Sequence, residues 1–472
     1  MIYNYLSKLP QKNYTIVILG SGPAGISLAL KLEKKKINSL ILEAGEEDYS
    51  EISQENYLSN IIGDNITDLR YSRLRQLGGT SGHWGGWCKP IEDWNLKDWP
   101  INIDEVNAYS NEASKILNID LNFNKTIINE YFNQIEFQYS NVRFADKYKN
   151  HIKNSKYIDL CLNSQISHFI GENQLISEAR VISMEKEFSI KSKLFVLACG
   201  GVENSRILLW SKEKNNNLIN SNLPIGKYWM THPWFLGGVG FLKKKKMKNL
   251  LKDDFLKYEG PIHFASSKKL VNEKKILSGA IYMNADEDNK LHKEIIKSFL
   301  CVSPSYGKKI ARMLFDKDLK CGNIFLNLEE APNKNNKIVL DKKLKDNNAI
   351  PISSIHYKKS KKTLSSAKII LENLASLFIE KKLGRVAIKE NIANLDNYEN
   401  LGVHHHMGGT RMGNNKIDSV VDRNLKLHDI KNLYVTGSSV FTTSGYANPT
   451  YTIVKLSLRL GDEISNIINK KI

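Results

Sequence analysis

Within the first 43 residues the spacing of apolar positions changes twice. Residues 14–19, Tyr-Thr-Ile-Val-Ile-Leu, form a short continuous apolar run ending at a glycine. That is the pattern of a strand buried on both faces. From Ala24 to Lys34 the apolar residues Ala24, Leu28, Ala29 and Leu32 fall at helical spacing. Residues 39–43, Ser-Leu-Ile-Leu-Glu, return to a strand pattern. Strand, helix and strand in this order predict a βαβ unit. The buried-strand pattern recurs at 194–199, ahead of Gly200 and a helix through Glu203–Trp210, and at 432–436, ahead of Gly437. Residues 236–394 differ, with lysine-rich loops and alternating segments such as Asn323–Glu329 and Lys337–Leu340. They predict a mainly antiparallel sheet with helices.

A chain of 472 residues is too long for one small core and suits two domains. Its hydrophobic content of 41% is ordinary for a globular protein. No run of 18 apolar residues occurs, which predicts no membrane-spanning helix. The first 20 residues lack a charged n-region, a long apolar stretch and a cleavage site, and enter a strand almost at once. No signal peptide is expected, and the expected compartment is cytoplasmic. The net charge of +18 is carried mostly by lysine, with Lys243–Lys246 the sharpest cluster. A compositional bias explains it as well as an acidic partner or surface does. No arginine-and-aromatic pattern accompanies it, so nucleic-acid binding is not expected. The five cysteines, Cys88, Cys161, Cys199, Cys301 and Cys321, are widely spaced, with no CxxC or CxxCH. Zinc knuckle, redox pair and covalent haem are therefore not indicated, and a reducing compartment is the default.

The first βα turn reads Gly20-Ser21-Gly22-Pro23-Ala24-Gly25. In such a turn Gly20 permits the tight bend, Gly22 lets backbone approach a pyrophosphate, and Gly25 lets helix and strand pack closely. The helix N-terminus offers free N–H groups and a positive dipole end to the phosphates. Glu43 lies 18 residues after Gly25, at the end of the second strand, where a carboxylate accepts hydrogen bonds from ribose hydroxyls. It disfavours a phosphorylated ribose. The motif does not separate FAD from NAD. The three scattered strands predict one nucleotide-binding domain assembled from separate segments.

Further segments carry a family resemblance. They are Arg75-Gln-Leu-Gly78-Gly79-Thr80-Ser81-Gly-His83-Trp84-Gly85, Asp98-Trp99-Pro100-Ile101 followed by Glu105, and Leu197-Ala-Cys-Gly200-Gly201-Val-Glu203-Asn204-Ser-Arg206. To these add Gly226-Lys-Tyr-Trp-Met230-Thr-His232-Pro233, Glu329-Glu-Ala-Pro332-Asn333, His404-His405-His406-Met-Gly-Gly409-Thr410 and Ala447-Asn448-Pro449-Thr450. Together they resemble the glucose–methanol–choline (GMC) oxidoreductases, in particular the branch holding pyranose oxidase and the large subunits of fructose and gluconate dehydrogenases. The ordered set is specific though its pieces are not. It covers about half of the chain and leaves residues 236–320 unmatched.

The resemblance implies an α/β fold in which residues 1–100, 155–235 and 395–472 form a discontinuous Rossmann-like FAD-binding domain. Residues 101–154 and 236–394 would form an α+β substrate domain. It implies FAD contacts at Gly78, Gly79 and Thr80, a backbone contact from Ile166 to the adenine, and cofactor positions at Trp84, Gly85, Gly200 and Ser439. It places the family's catalytic histidine at His406 and that residue's partner at Asn448. Histidine suits proton abstraction from an alcohol because its ordinary pKa is about 6.5. Asparagine cannot take that proton but can orient the substrate oxygen. His404 and His405 then read as structural or rim positions. Three consecutive histidines point in different directions on any regular element, so they do not gather around one metal. Pro449 is expected at a first helical position, with Thr450 following, aiming the helix's positive end at the flavin. His83 stands where pyranose oxidase carries a covalent flavin; the rival is a packing histidine beside a non-covalent one.

The expected activity is hydride removal from the CH–OH group of a sugar, polyol or other small alcohol. The electron acceptor stays open among oxygen, a quinone and a separate redox protein. A catalytically silent flavin-binding partner protein is the alternative, separated by anaerobic bleaching of the flavin with a sugar alcohol. An NAD-dependent dehydrogenase would leave residues 78–85 and 404–450 without a role.

Overall fold

Ile16–Leu19 lies inside a six-stranded sheet, between Ser39–Leu42 and Leu194–Leu197. The full order is Ile2–Tyr3, Ile158–Cys161, Ser39–Leu42, Ile16–Leu19, Leu194–Leu197 and Leu433–Val435, and every pairing is parallel. The computed structural model describes residues 1–215, 218–220, 222–243, 246, 262–285, 319–394, 402 and 404–470. Lys244, Lys245 and Cys301 lie outside the described residues.

Every residue of the three central strands is buried, which explains continuous apolar runs rather than alternation. Helix Pro23–Lys34 covers one face and packs along helix Thr450–Asn469. Lys31 ties the two helices through Asp462 at 3.1 Å and reaches Glu112 at 2.8 Å. The strand at Ile158–Cys161 has no sequence signature of its own, because a carboxylate interrupts it. Asp159 is buried there, paired with the Met1 amine at 3.2 Å, with Lys12 at 3.0 Å and with the Tyr14 hydroxyl at 2.9 Å.

The second body is a seven-stranded antiparallel sheet. Its order is Gly384–Ile388, Trp234–Lys243, Leu319–Leu328, Gly279–Ala285, Ile262–Ser266, Phe132–Ile135 and Lys125–Ile127. Helix Lys361–Glu380 lays Ala367, Ile370, Leu371, Leu374 and Phe378 against it, at the spacing of one helical face. Ser360 caps that helix, its side chain accepting from Thr363 N at 3.0 Å. Lys337–Lys345 does not join this sheet. It pairs with Pro351–Tyr357, which in turn lies parallel to Ser59–Gly63. The chain is thus α/β, with a parallel sheet and a mainly antiparallel one, each over its own apolar core.

Candidate active site

A cavity of about 780 Å³ lies between the two bodies. One wall is formed by residues that follow the carboxyl ends of the parallel strands: Gly20–Ala24, Glu43, Ala198–Gly201 and Gly437. That is where open parallel sheets hold ligands. The other wall presents Trp234, His263, Ala280, Tyr282 and Asn327 from the antiparallel sheet.

The nucleotide end is shaped by backbone. Gly20 has φ +104°, and a Cβ there would lie 2.6 Å from the Ala198 carbonyl oxygen. A Cβ on Gly25 would lie 2.0 Å from the Gly20 carbonyl oxygen, so Gly25 closes helix onto strand and does not line the cavity. A Cβ on Gly22 would meet nothing within 4 Å. Gly22 therefore opens the cradle at the N-terminus of helix Pro23–Lys34, where free N–H groups suit a pyrophosphate. Glu43 is buried and held in place. Its Oε2 accepts from Ser21 N at 3.0 Å and from Ser21 Oγ at 2.6 Å, and its Oε1 from Gly45 N at 2.8 Å. An open glycine cradle with a fixed carboxylate at the next strand end fits a dinucleotide.

Gly79, Thr80, His83, Trp84, Gly85, Ile166, Gly200, Pro449 and Thr450 also line the cavity. Gly78 and Ser439, expected at the cofactor, do not. Gly78 turns the chain in the left-handed region at φ +79°, and its N–H donates to Ser21 Oγ at 3.3 Å, behind the wall. Ser439 is buried and accepts from Asn204 Nδ2 at 2.8 Å. Helix Thr450–Asn469 starts one residue later than expected, with Pro449 just ahead of it at φ −73°.

At the chemical end, His406 and Asn448 line the same cavity. The His406 ring is buried and stacks on Trp229 at 5.8 Å between centroids, tilted by 19°. Its Nε2 lies 2.8 Å from Ser72 Oγ, and its Nδ1 is buried with no partner among the described residues. Burial above all, then Arg73 and His404, holds its pKa well below the usual histidine value, so the ring is neutral at pH 7. His404 is exposed and His405 half-buried, and both face the cavity. His405 Nδ1 lies 2.9 Å from Nδ1 of His232. His83 is exposed on the lining, its pKa lowered by burial first and by His404 and Arg143.

Some lining residues carry no local sequence signal. Ser72 is separated from His406 by 334 residues. Arg73 likewise pairs at 2.8 Å with buried Glu203, which, with Arg206 at 3.1 Å from it, does stand in the Leu197–Arg206 segment singled out above. Trp87, Phe137, His263 and Tyr282 form an aromatic wall, with His263 at 5.0 Å from Phe137 and 5.2 Å from Tyr282. His232 stands in the Met-Thr-His-Pro stretch already singled out, which was its available signal.

The family model described as GMC oxidoreductase matches residues 332–457. The chain is 23% identical to the fructose dehydrogenase large subunit of Gluconobacter japonicus, covering 96% of this chain and 97% of that one. It is 27% identical to the 2-methyl-1,2-propanediol dehydrogenase of Mycolicibacterium austroafricanum over 58% of this chain and 48% of that one. Among solved structures it resembles pyridoxine 4-oxidase from Mesorbium loti, with a TM-score of 0.61 and 14% identity, covering 96% and 99% of the two chains. A FAD-dependent oxidoreductase from Chaetomium thermophilum also has a TM-score of 0.61, at 13% identity, covering 97% and 100%. These structures share the fold. Among the described residues no helix is long and apolar enough to cross a membrane.

Proposed function

We propose that the chain is a GMC oxidoreductase, a FAD-dependent enzyme that acts on CH–OH donors, in which His406 is the general base and Asn448 orients the substrate oxygen. The substrate is a sugar, polyol or related alcohol. What carries this proposal is the lining of one cavity by the Gly20–Glu43 grip, by a neutral buried His406 and by Asn448.

FAD, when bound, supplies the acceptor for the hydride. Ser21, Gly22, Gly79, Thr80 and Glu43 would hold its nucleotide part, and the helix that begins at Thr450, behind Pro449, would offer its positive end to the flavin. His406 takes the hydroxyl proton at Nε2. That atom already bonds a hydroxyl, Ser72 Oγ at 2.8 Å. Ser72 has a second acceptor, the Leu69 carbonyl oxygen at 3.3 Å, to which it turns when substrate arrives. Asn448 donates its amide N–H to the substrate oxygen and keeps the carbon's hydrogen aimed at the acceptor.

A covalent bond from FAD to His83 is part of the same proposal, favoured by a neutral imidazole on the cavity lining. Acid-precipitated protein that stays yellow supports it, and full release of flavin refutes it. The main test is anaerobic reduction of the bound flavin by sugars and polyols, which a silent flavin-binding protein would not show.

A further inference from the structure

We infer that His405, set in one tautomer by His232, is a second substrate contact that accepts a hydrogen bond from a hydroxyl next to the one oxidised, so that the site selects polyols and sugars over simple alcohols. This rests on the alcohol oxidation proposed above.

The tautomers follow from the hydrogen bonds. His232 Nε2 lies 3.4 Å from the Ser444 carbonyl oxygen, which can only accept. Nε2 therefore carries the proton. Burial lowers the His232 pKa to about 4, so the ring is neutral and its Nδ1 is bare. His405 Nδ1, 2.9 Å away, must then donate. The ring planes cross at 84° with centroids 5.0 Å apart, so at an Nδ1–Nδ1 distance of 2.9 Å the rings meet edge to edge and one ring's in-plane N–H can point at the other's in-plane lone pair. His405 is also neutral, lowered by burial first and by His232, His404 and His406. Its one proton sits on Nδ1, and Nε2 is left as an acceptor. Among the described residues no donor reaches that Nε2, and the ring lines the cavity.

The chemistry of the surroundings limits what binds there. The carboxylates lining the cavity among the described residues are Glu43, held by Ser21 and Gly45, and Glu203, paired with Arg73 and Arg206. Both are already committed to those partners, so an ammonium donor would find no free carboxylate on the lining among the described residues. Among the described residues no group of three His, Cys, Asp or Glu side chains is placed for a metal ion. A neutral O–H remains as the partner. His406 is the neighbouring residue, so the two acceptors suit two hydroxyls of one molecule.

The test has two arms on the FAD-loaded enzyme. In the first, flavin reduction is followed anaerobically with a polyol (sorbitol) and with a mono-alcohol (1-hexanol) of the same carbon number. His405→Phe should raise the polyol KM about tenfold or more, with a much smaller fall in the limiting rate of reduction. His232→Leu should do the same, and His232→Asn, which retains an acceptor for His405 Nδ1–H, should restore most of the loss. In the second arm, ¹⁵N-histidine NMR of the substrate-free, FAD-loaded protein should assign the His405 proton to Nδ1, a readout that needs no turnover. A proton on Nε2 overturns the inference, as does a polyol KM unmoved by His405→Phe. Loss of reduction in His405→Phe with His406→Ala unaffected would make His405 the base and overturn both proposals. A wild type whose flavin no alcohol reduces sinks the alcohol oxidation itself, whatever the NMR reports.

Discussion

The two ends of the cavity are built by different means. The nucleotide end is made of backbone: Gly20, Gly22 and Gly25 act through a bend, an open face and a close approach, within six consecutive residues. The chemical end is made of side chains from distant segments, with Ser72 and His406 separated by 334 residues. A backbone site is specified by what must be absent at a few positions. A side-chain site is specified in layers, each ring oriented by a second group: His406 by Ser72 and Trp229, His405 by His232.

The sharpest way to break this contrast lies inside the glycine turn itself. Gly25→Ala drives a Cβ to 2.0 Å from the Gly20 carbonyl oxygen, so helix and strand must part. Such a clash at a packed interface is expected to cost several kcal/mol, on the order of 3 or more, and to leave little soluble folded protein. A Cβ at Gly22 meets no atom within 4 Å, so Gly22→Ala should fold with near-normal circular dichroism while losing the yellow cofactor. Equal melting temperatures for the two flavin-free variants would show that the two glycines do not divide packing from binding in this way.

At the other end the largest effect is expected from His406→Ala. Flavin content should be retained and reduction by substrate should slow by about 10²-fold or more, roughly 2.7 kcal/mol in the barrier. In the wild type, the lowered His406 pKa keeps the base unprotonated from neutral pH down past the usual histidine range. Reduction should be level between about pH 6.5 and 8 and fall only on further acidification. A rate that titrates near 6.5 would place the base in a solvated position.

The same histidines make the chemical end a stability liability in acid. His232 and His263 are both lowered to about 4 by burial. The unfolded chain takes up protons near pH 6.5 that the folded chain refuses, so their contribution is whole above 6.5 and is lost as pH falls toward 4. Each is worth on the order of 1–3 kcal/mol across that window. Urea midpoints at pH 7 and 4.5 should converge when His263, an aromatic-wall residue, is replaced by Phe. An unchanged pH slope in His263→Phe would mean that His263 protonates freely in the fold.

How much of this was legible in the chain follows from the same contrast. The parallel strands at 14–19, 39–43, 194–199 and 432–436 appear as Ile16–Leu19, Ser39–Leu42, Leu194–Leu197 and Leu433–Val435, because burial on both faces writes itself as an apolar run. Ile158–Cys161 was not legible, since Asp159 is compensated by groups the local sequence does not contain. The motif residues on the cavity, from Gly20 to Thr450, could be named because backbone sites repeat a short pattern. Ser72 could not, because a serine in Leu69–Arg73 acquires meaning only when the fold brings His406 to it. Gly78 and Ser439, marked by family position, are not on the cavity lining; the Gly78 N–H donates to Ser21 and Ser439 accepts from Asn204.

Ser72→Ala tests the layered design at its smallest scale. The hydroxyl holds His406 Nε2 at 2.8 Å, yet the ring is also stacked on Trp229, and the His406 carbonyl accepts from Ser438 Oγ at 2.5 Å. Removing Ser72 Oγ therefore releases one of several restraints. It also removes the group that substrate must displace from Nε2. The first effect disorders the base and slows reduction; the second lowers the cost of substrate entry and reduces KM. A fall in limiting reduction rate of about 3–10-fold, roughly 1 kcal/mol, with an equal or lower KM, is the expected split. A higher KM at unchanged rate would instead make Ser72 a substrate-binding hydroxyl. In that case His406 would be positioned by its stack and backbone alone, and the chemical end would be less layered than its hydrogen bonds indicate.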